Sequence, residues 1–113
     1  MSDDIPIIQK IYDFYREFYL VIPIMPKQDR HVIGEKVQNT CLVLMENLIS
    51  ASHANRQIKS GYLTQAATKL DVLKTLLRLS EDVKAIPTKR YLKLSEKLQE
   101  IGKMLGGWIR SLN

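Results

Sequence analysis

Histidine and cysteine, which often catalyse reactions or bind metals, are scarce in this chain, and their spacing predicts neither activity. The sequence contains two histidines and one cysteine, His31, His53 and Cys41. His31 and Glu35 share a helical face, but two ligands are fewer than a protein metal site requires. Cys41 occupies an apolar helical position, where a thiol is usually a small buried hydrophobe. We therefore expect no catalytic residue, no metal and no cofactor, and we do not expect the protein to be an enzyme.

Glycines cluster near the end of the chain without forming a phosphate-binding loop. Three of the five glycines lie between 102 and 107, after a helical segment rather than after a strand. Each glycine inside a helix costs about 1 kcal/mol relative to alanine. Small residues let a neighbouring backbone approach closely, and the single tryptophan beside them is a large anchor. The pattern predicts helix or subunit packing at Gly102, Gly106, Gly107 and Trp108.

Basic side chains are the better candidates for function. The net charge is +5, and residues 84–113 hold seven Lys and Arg against two Glu, whereas residues 1–83 hold ten of each sign. A localised basic surface predicts a polyanionic partner, namely RNA, DNA or an acidic protein face. The alternative is a lysine-rich helix face that is merely solvated. The candidate binding residues are Arg30, Lys69, Lys74, Arg78, Lys89, Lys93, Lys103 and Arg110.

Apolar periodicity predicts four long helices, at about 6–25, 28–52, 61–85 and 88–112. Pro23, Pro26, a polar run at 53–61 and Pro87 separate them. No segment alternates as a strand would. Long helices joined by short loops favour an all-α, up-down-up-down four-helix bundle that forms a single domain over residues 1–113.

The third helix has more apolar surface than one bundle core needs. It carries two apolar stripes that lie roughly 130° apart at 100° per residue. The second stripe would face water unless something covered it, which predicts an oligomer; a wide core face with partly exposed edges is the alternative. Lys69 falls in the gap between the stripes. The first stripe comprises Leu63, Ala66, Leu70, Leu73 and Leu77, and the second comprises Val72, Leu76, Leu79, Val83 and Ile86.

The first helix contains five of the chain's aromatic residues, Tyr12, Phe14, Tyr15, Phe18 and Tyr19. Such rings can stack on nucleic-acid bases. At helical spacing they more often form a core, and we favour the core interpretation.

The sequence predicts a cytoplasmic protein that does not enter a membrane. It has no charged and then apolar leader, and no apolar run of about 18 residues. A single cysteine fits a reducing compartment.

Three blocks of the sequence resemble the accessory variability determinant (Avd) proteins of diversity-generating retroelements, and the related four-helix bundle proteins encoded in intervening sequences of ribosomal RNA genes. The blocks are VIGEKV leading into LVLME at residues 32–46, LDVLKTLLRLS at residues 70–80, and IGKMLGGWI at residues 101–109. The likeness extends over nearly the whole chain in helix order and loop positions. Ser80 and Lys103 depart mildly from the pattern, where alanine and arginine are expected.

The resemblance implies a homopentameric, positively charged barrel of four-helix bundles. It implies binding of the retroelement's reverse transcriptase and of RNA or DNA, in support of mutagenic reverse transcription, without catalysis by the barrel itself. Two alternatives stay open: a bundle of the ribosomal RNA intervening-sequence type, or an orphan bundle, that binds RNA without a reverse transcriptase, and a purely structural helical oligomer.

Overall fold

The computed structural model describes residues 5–112, and all the regular structure in that range is helical. Helix α1 spans Ile5–Val21 and is followed by one 3₁₀ turn, Ile22–Ile24. Helix α2 covers 27–53 in three parts: an α-helical start at Lys27–Asp29, a π-helical segment at Arg30–Gly34, and an α-helix over Glu35–His53. Helices α3 and α4 span Arg56–Asp82 and Thr88–Arg110. The all-α prediction is confirmed for this range; the expected domain limits at 1 and 113 lie outside it.

The four helices pack as an antiparallel bundle, as predicted from the sequence. Each helix contacts its neighbours around the bundle, so that α1 lies against α2 and α4, and α3 lies against α2 and α4. The bundle is elongated, with extents of 43 × 22 × 19 Å. Connections as short as Ala54-Asn55 between α2 and α3 require adjacent antiparallel helices.

One continuous apolar core fills the bundle. Phe14 and Phe18 of α1 stack with their ring centroids 6.3 Å apart, which confirms the core interpretation for these two aromatic residues. The first apolar stripe of the third helix is fully inside: its five members are at most 4% exposed. Burial of this periodic surface drives folding of helices that would be marginal alone.

The surplus apolar residues divide between the core and the surface. Ile86 is buried and Val72 and Leu76 are half-buried, whereas Leu79 and Val83 are 42% and 52% exposed. On α1, the aromatic cluster divides in the same way, because Tyr12 and Tyr19 are 50% and 63% exposed. The core interpretation is therefore wrong for these two tyrosines, which lie on the outer face of α1.

The first helix ends four residues earlier than the expected limit of 25, because Pro23 lies in a 3₁₀ turn that reverses the chain. Gly34, at the end of the π-helical segment, is buried against this turn. A Cβ atom at Gly34 would lie 3.1 Å from Cδ1 of Ile22 and 3.4 Å from Sδ of Met25. The close approach of the two segments therefore depends on the absence of a side chain at this position.

The third helix begins at Arg56 and ends at Asp82, rather than at the expected 61 and 85. Asn55 caps its start, since Oδ1 of Asn55 accepts a hydrogen bond of 3.0 Å from the Ile58 backbone N–H. Lys84, with φ of 63°, is in the left-handed conformation that ends the helix. Ala85 and Ile86 then return the chain to the core.

Candidate nucleic-acid interface

Lys74 of α3 lies across the surface of α4 at Gly102. The Lys74 ammonium nitrogen is 3.2 Å from the position that a Cβ of Gly102 would occupy, and Cδ2 of Leu70 is 3.5 Å from it. Any larger residue at 102 would therefore push the Lys74 side chain away from α4. Because Gly102 has no side chain, the Leu70 and Lys74 side chains of α3 pack directly on the surface of α4.

Further along α4, the Arg110 side chain lies over Gly106 and Gly107. Its Nη1 atom is 3.3 Å from a Cβ position on Gly106, and its Nη2 atom is 3.9 Å from one on Gly107. Among the described residues, no atom of another helix lies within 4 Å of these Cβ positions. Inside one subunit, Gly106 and Gly107 therefore leave the α4 backbone covered only by a flexible guanidinium group, and no helix of the same subunit packs there.

Two ion pairs join the opposite side of α4 to α1. Nζ of Lys10 is 2.7 Å from Oε1 of Glu100, and Nζ of Lys93 is 2.8 Å from Oε1 of Glu17. The hydrogen bond from Lys93 lowers the pKa of the Glu17 carboxyl, although partial burial opposes the shift. The hydrogen bond to Glu100 raises the pKa of Lys10. Lys93, a sequence candidate for partner binding, is thus held by an acid of its own subunit.

Arg30, another sequence candidate, holds the corner between α1 and α2. Its Nε donates to the backbone carbonyl of Met25 and its Nη2 donates to that of Pro23, each at 2.9 Å. The side chain is half-buried. These carbonyls lie in a turn, where regular helical partners are missing, so the structure gives Arg30 a folding role that the sequence did not indicate.

The remaining basic candidates differ in exposure. Arg78, Lys89 and Lys103 are exposed, and no acidic oxygen of residues 5–112 lies within ion-pair distance of them. Arg78 follows Lys74 by one helical turn on the same face of α3. Lys89 is in the first turn of α4, and Lys69 is half-buried. The structure thus brings Lys74 and Arg110 onto the glycine-rich surface of α4 and separates Arg30 and Lys93 from it.

Trp108 lies at the end of the bundle, half-buried against the core. Nζ of Lys59 in α3 is 5.9 Å from its ring centroid, within the range of a cation–π contact. Nearby, Nη2 of Arg56 donates a hydrogen bond of 2.6 Å to the Leu112 carbonyl. Sequence reasoning missed Arg56 and Lys59, because residues 53–61 were interpreted as a loop.

The reactive side chains that the sequence singled out, His31, Glu35 and Cys41, belong to no metal-type cluster among the described residues. No group of three His, Cys, Asp or Glu side chains in residues 5–112 comes together as metal ligands would. Burial raises the pKa of the Cys41 thiol to about 12, so the nucleophilic thiolate is disfavoured. Within the same residues, no helix has the length and apolar content needed to cross a membrane.

The fold defines an all-α four-helix bundle protein, in which Lys74 and Arg110 lie over glycines of α4. The chain belongs to the bAvd-like family, whose model matches residues 5–112. The resemblance drawn from the three sequence blocks is therefore confirmed.

A solved structure with the same fold comes from Bacteroides thetaiotaomicron VPI-5482, a protein of unknown function from the S23 ribosomal protein family. It superposes with a TM-score of 0.84 at 20% identity, over 96% of this chain and 98% of that one. At this identity the match shows the fold alone. None of the curated proteins compared with the chain matches it.

Proposed function

We propose that this protein is a non-enzymatic accessory subunit of a diversity-generating retroelement, which binds the reverse transcriptase and RNA or DNA through basic helical surfaces. Membership of the bAvd-like family is the observation that carries the proposal. The surface is compatible with it, because Lys74, Arg78, Lys103 and Arg110 have no acidic partner among residues 5–112. Such cations can contact phosphates or an acidic protein face.

The proposal includes assembly into a homopentamer. Support comes from apolar side chains that the isolated subunit leaves in water on three helices, among them Tyr19 and Leu20 of α1, Leu42 of α2, and Leu79 of α3, each more than 40% exposed. Large exposed apolar areas commonly mark interfaces, and closed ring symmetry would bury the same area in every subunit. Native mass spectrometry of the purified protein measures the subunit number directly.

Co-expression with a candidate reverse transcriptase and its template RNA tests the proposed function. We expect the enzyme and the RNA to be retained when this protein is captured, and the RNA to be released as salt is raised. A monomer that retains neither partner would refute the proposal. Capture of the enzyme without RNA would restrict the function to protein binding.

A second candidate function is RNA binding without a reverse transcriptase. The observation that favours it is the S23 ribosomal protein family of the structural neighbour. The genomic position separates the two candidates: a neighbouring reverse transcriptase gene with a template repeat supports the first, and a position inside a ribosomal RNA gene supports the second. A purely structural oligomer would bind no polyanion at any salt concentration.

A further inference from the structure

Residues 106–112, at the end of α4, lie beyond the part of that helix that is buried in the core. The last fully buried side chain of α4 is Leu105, which is 2% exposed, and the apolar side chains after it are half-buried. Gly106 and Gly107 follow directly, and glycine is, after proline, the residue that least favours a helix. No atom of another helix within residues 5–112 lies within 4 Å of a Cβ position on either glycine. The helix therefore has its lowest intrinsic stability at these two residues, and we call residues 106–112 the α4 strap.

Two cations from the first turn of α3 hold the strap. Nη2 of Arg56 donates a hydrogen bond of 2.6 Å to the Leu112 carbonyl, and Nζ of Lys59 is 5.9 Å from the centroid of the Trp108 ring. The first turn of α3 contains no acidic residue. Positive charge is unfavourable at the N-terminus of a helix and favourable at the C-terminus, because of the helix dipole. Arg56 and Lys59 therefore stabilise the end of α4 rather than the start of their own helix.

The strap has one apolar side and one polar side. The side chains of Trp108, Ile109 and Leu112 pack against the core and are half-buried, whereas Arg110 and Ser111 are exposed. Local opening of a short terminal segment costs less free energy than global unfolding, because most of the core stays packed. Opening of the strap would expose its apolar side and leave the fully buried residues of α4 in place.

We propose that the α4 strap opens about Gly106 and Gly107 while the rest of the bundle stays folded, and that Arg56 and Lys59 are the latch that keeps it closed. The open strap presents the apolar side of Trp108 to solvent. Any partner that binds this side increases the population of the open state. The inference goes beyond the proposed function and does not depend on it, because it follows from contacts within one subunit.

Hydrogen exchange of the full chain in its native assembly tests the latch. Mass spectrometry compares peptides covering residues 106–112 and 94–101 in the wild type and in Arg56→Gln/Lys59→Gln. We expect the strap peptide to exchange roughly tenfold faster in the variant, because an exposed hydrogen bond from a charged donor and a cation–π contact are lost. The peptide 94–101 should exchange at the wild-type rate.

The matched control is Arg78→Gln/Lys89→Gln, which removes the same two residue types from exposed positions at the other end of the bundle. We expect wild-type exchange of the strap in this variant. Equal acceleration in the control would show an effect of net charge and would overturn the inference. It would also be overturned by an unchanged strap in Arg56→Gln/Lys59→Gln, or by equal acceleration of the peptide 94–101, since the bundle would then open as one unit.

The glycines give a second test that leaves the latch in place. A Cβ at Gly106 or Gly107 would meet only the flexible side chain of Arg110, so alanine fits at both positions. The open state loses the helical conformation at these residues, and alanine favours that conformation. Gly106→Ala/Gly107→Ala should therefore slow exchange of the strap roughly 20-fold and reduce acrylamide quenching of Trp108, the single tryptophan. Exchange and quenching equal to those of the wild type would overturn the proposed hinge.

Discussion

Arg30 provides the sharpest test of a structural role against a binding role. Replacement by alanine removes the hydrogen bonds from Nε to the Met25 carbonyl and from Nη2 to the Pro23 carbonyl, each 2.9 Å long. Hydrogen bonds from charged donors contribute roughly 1.5 to 3 kcal/mol each. The bond to Pro23 is exposed to solvent, so its contribution lies at or below the lower end of this range. We therefore expect Arg30→Ala to lower the free energy of unfolding by about 2 kcal/mol.

A loss of this size lowers the Tm of a domain of about 100 residues by roughly 8 °C. Thermal unfolding followed by circular dichroism measures the change. Arg30→Lys should recover only part of it, because an ammonium cannot donate to both carbonyls with the geometry of a guanidinium fork. Arg78→Ala is the matched control, since Arg78 is exposed and forms no ion pair within the described residues.

Arg30→Ala should leave nucleic-acid affinity unchanged at a temperature where the variant is folded. A Tm equal to that of the wild type, together with weaker RNA binding, would refute the folding role and restore Arg30 as a contact residue. A loss of stability that Arg30→Lys rescues completely would show that charge, rather than the two-carbonyl geometry, stabilises the corner.

Three further predictions concern two glycines, one ion pair and the buried thiol. Gly61→Ala should raise the free energy of unfolding by about 1 kcal/mol, because the exposed helical position has free space. Gly34→Val should lower it by about 1 to 3 kcal/mol through overpacking. Urea unfolding measures both changes, and a stabilising effect of both substitutions would contradict the close packing at Gly34. The Lys93 contact lowers the folded-state pKa of Glu17. The stabilisation from this ion pair is therefore present above the ordinary pKa of 4.5 and is lost as the pH falls through the folded-state pKa. Glu17→Gln should flatten that part of the plot of stability against pH, and an unchanged plot would exclude a stabilising ion pair. With its pKa raised to about 12, Cys41 should resist iodoacetamide at pH 8 in the folded protein and react on denaturation, as mass spectrometry would show; rapid labelling of the folded state would contradict its burial.

Much of the bundle could be predicted from apolar periodicity. The stripe from Leu63 to Leu77 is spaced so that its members share one helical face, and all of them are buried. Local sequence signals predicted the ends of the helices less accurately. The run at 53–61 is polar and contains a glycine, yet most of it is helical from Arg56 onward, because Asn55 caps the helix and packing stabilises the first turns.

The candidate interface was only partly accessible to sequence reasoning. Lysines and arginines can be counted, but the sequence does not show which of them meet an acid from a distant helix. Glu17 lies far from Lys93 in the chain and 2.8 Å from it in space. The same holds for Arg30, whose carbonyl partners depend on the path of the corner.

The sequence by itself determined the helical class, the buried stripe from Leu63 to Leu77 and the family, because these follow from local spacing and from residue blocks within single helices. Only the tertiary structure decided which cations form ion pairs between helices, and that Gly34 and Gly102 lie at close contacts. Those properties depend on which surfaces of separate helices meet, and helix packing sets that arrangement through contacts between residues far apart in the chain.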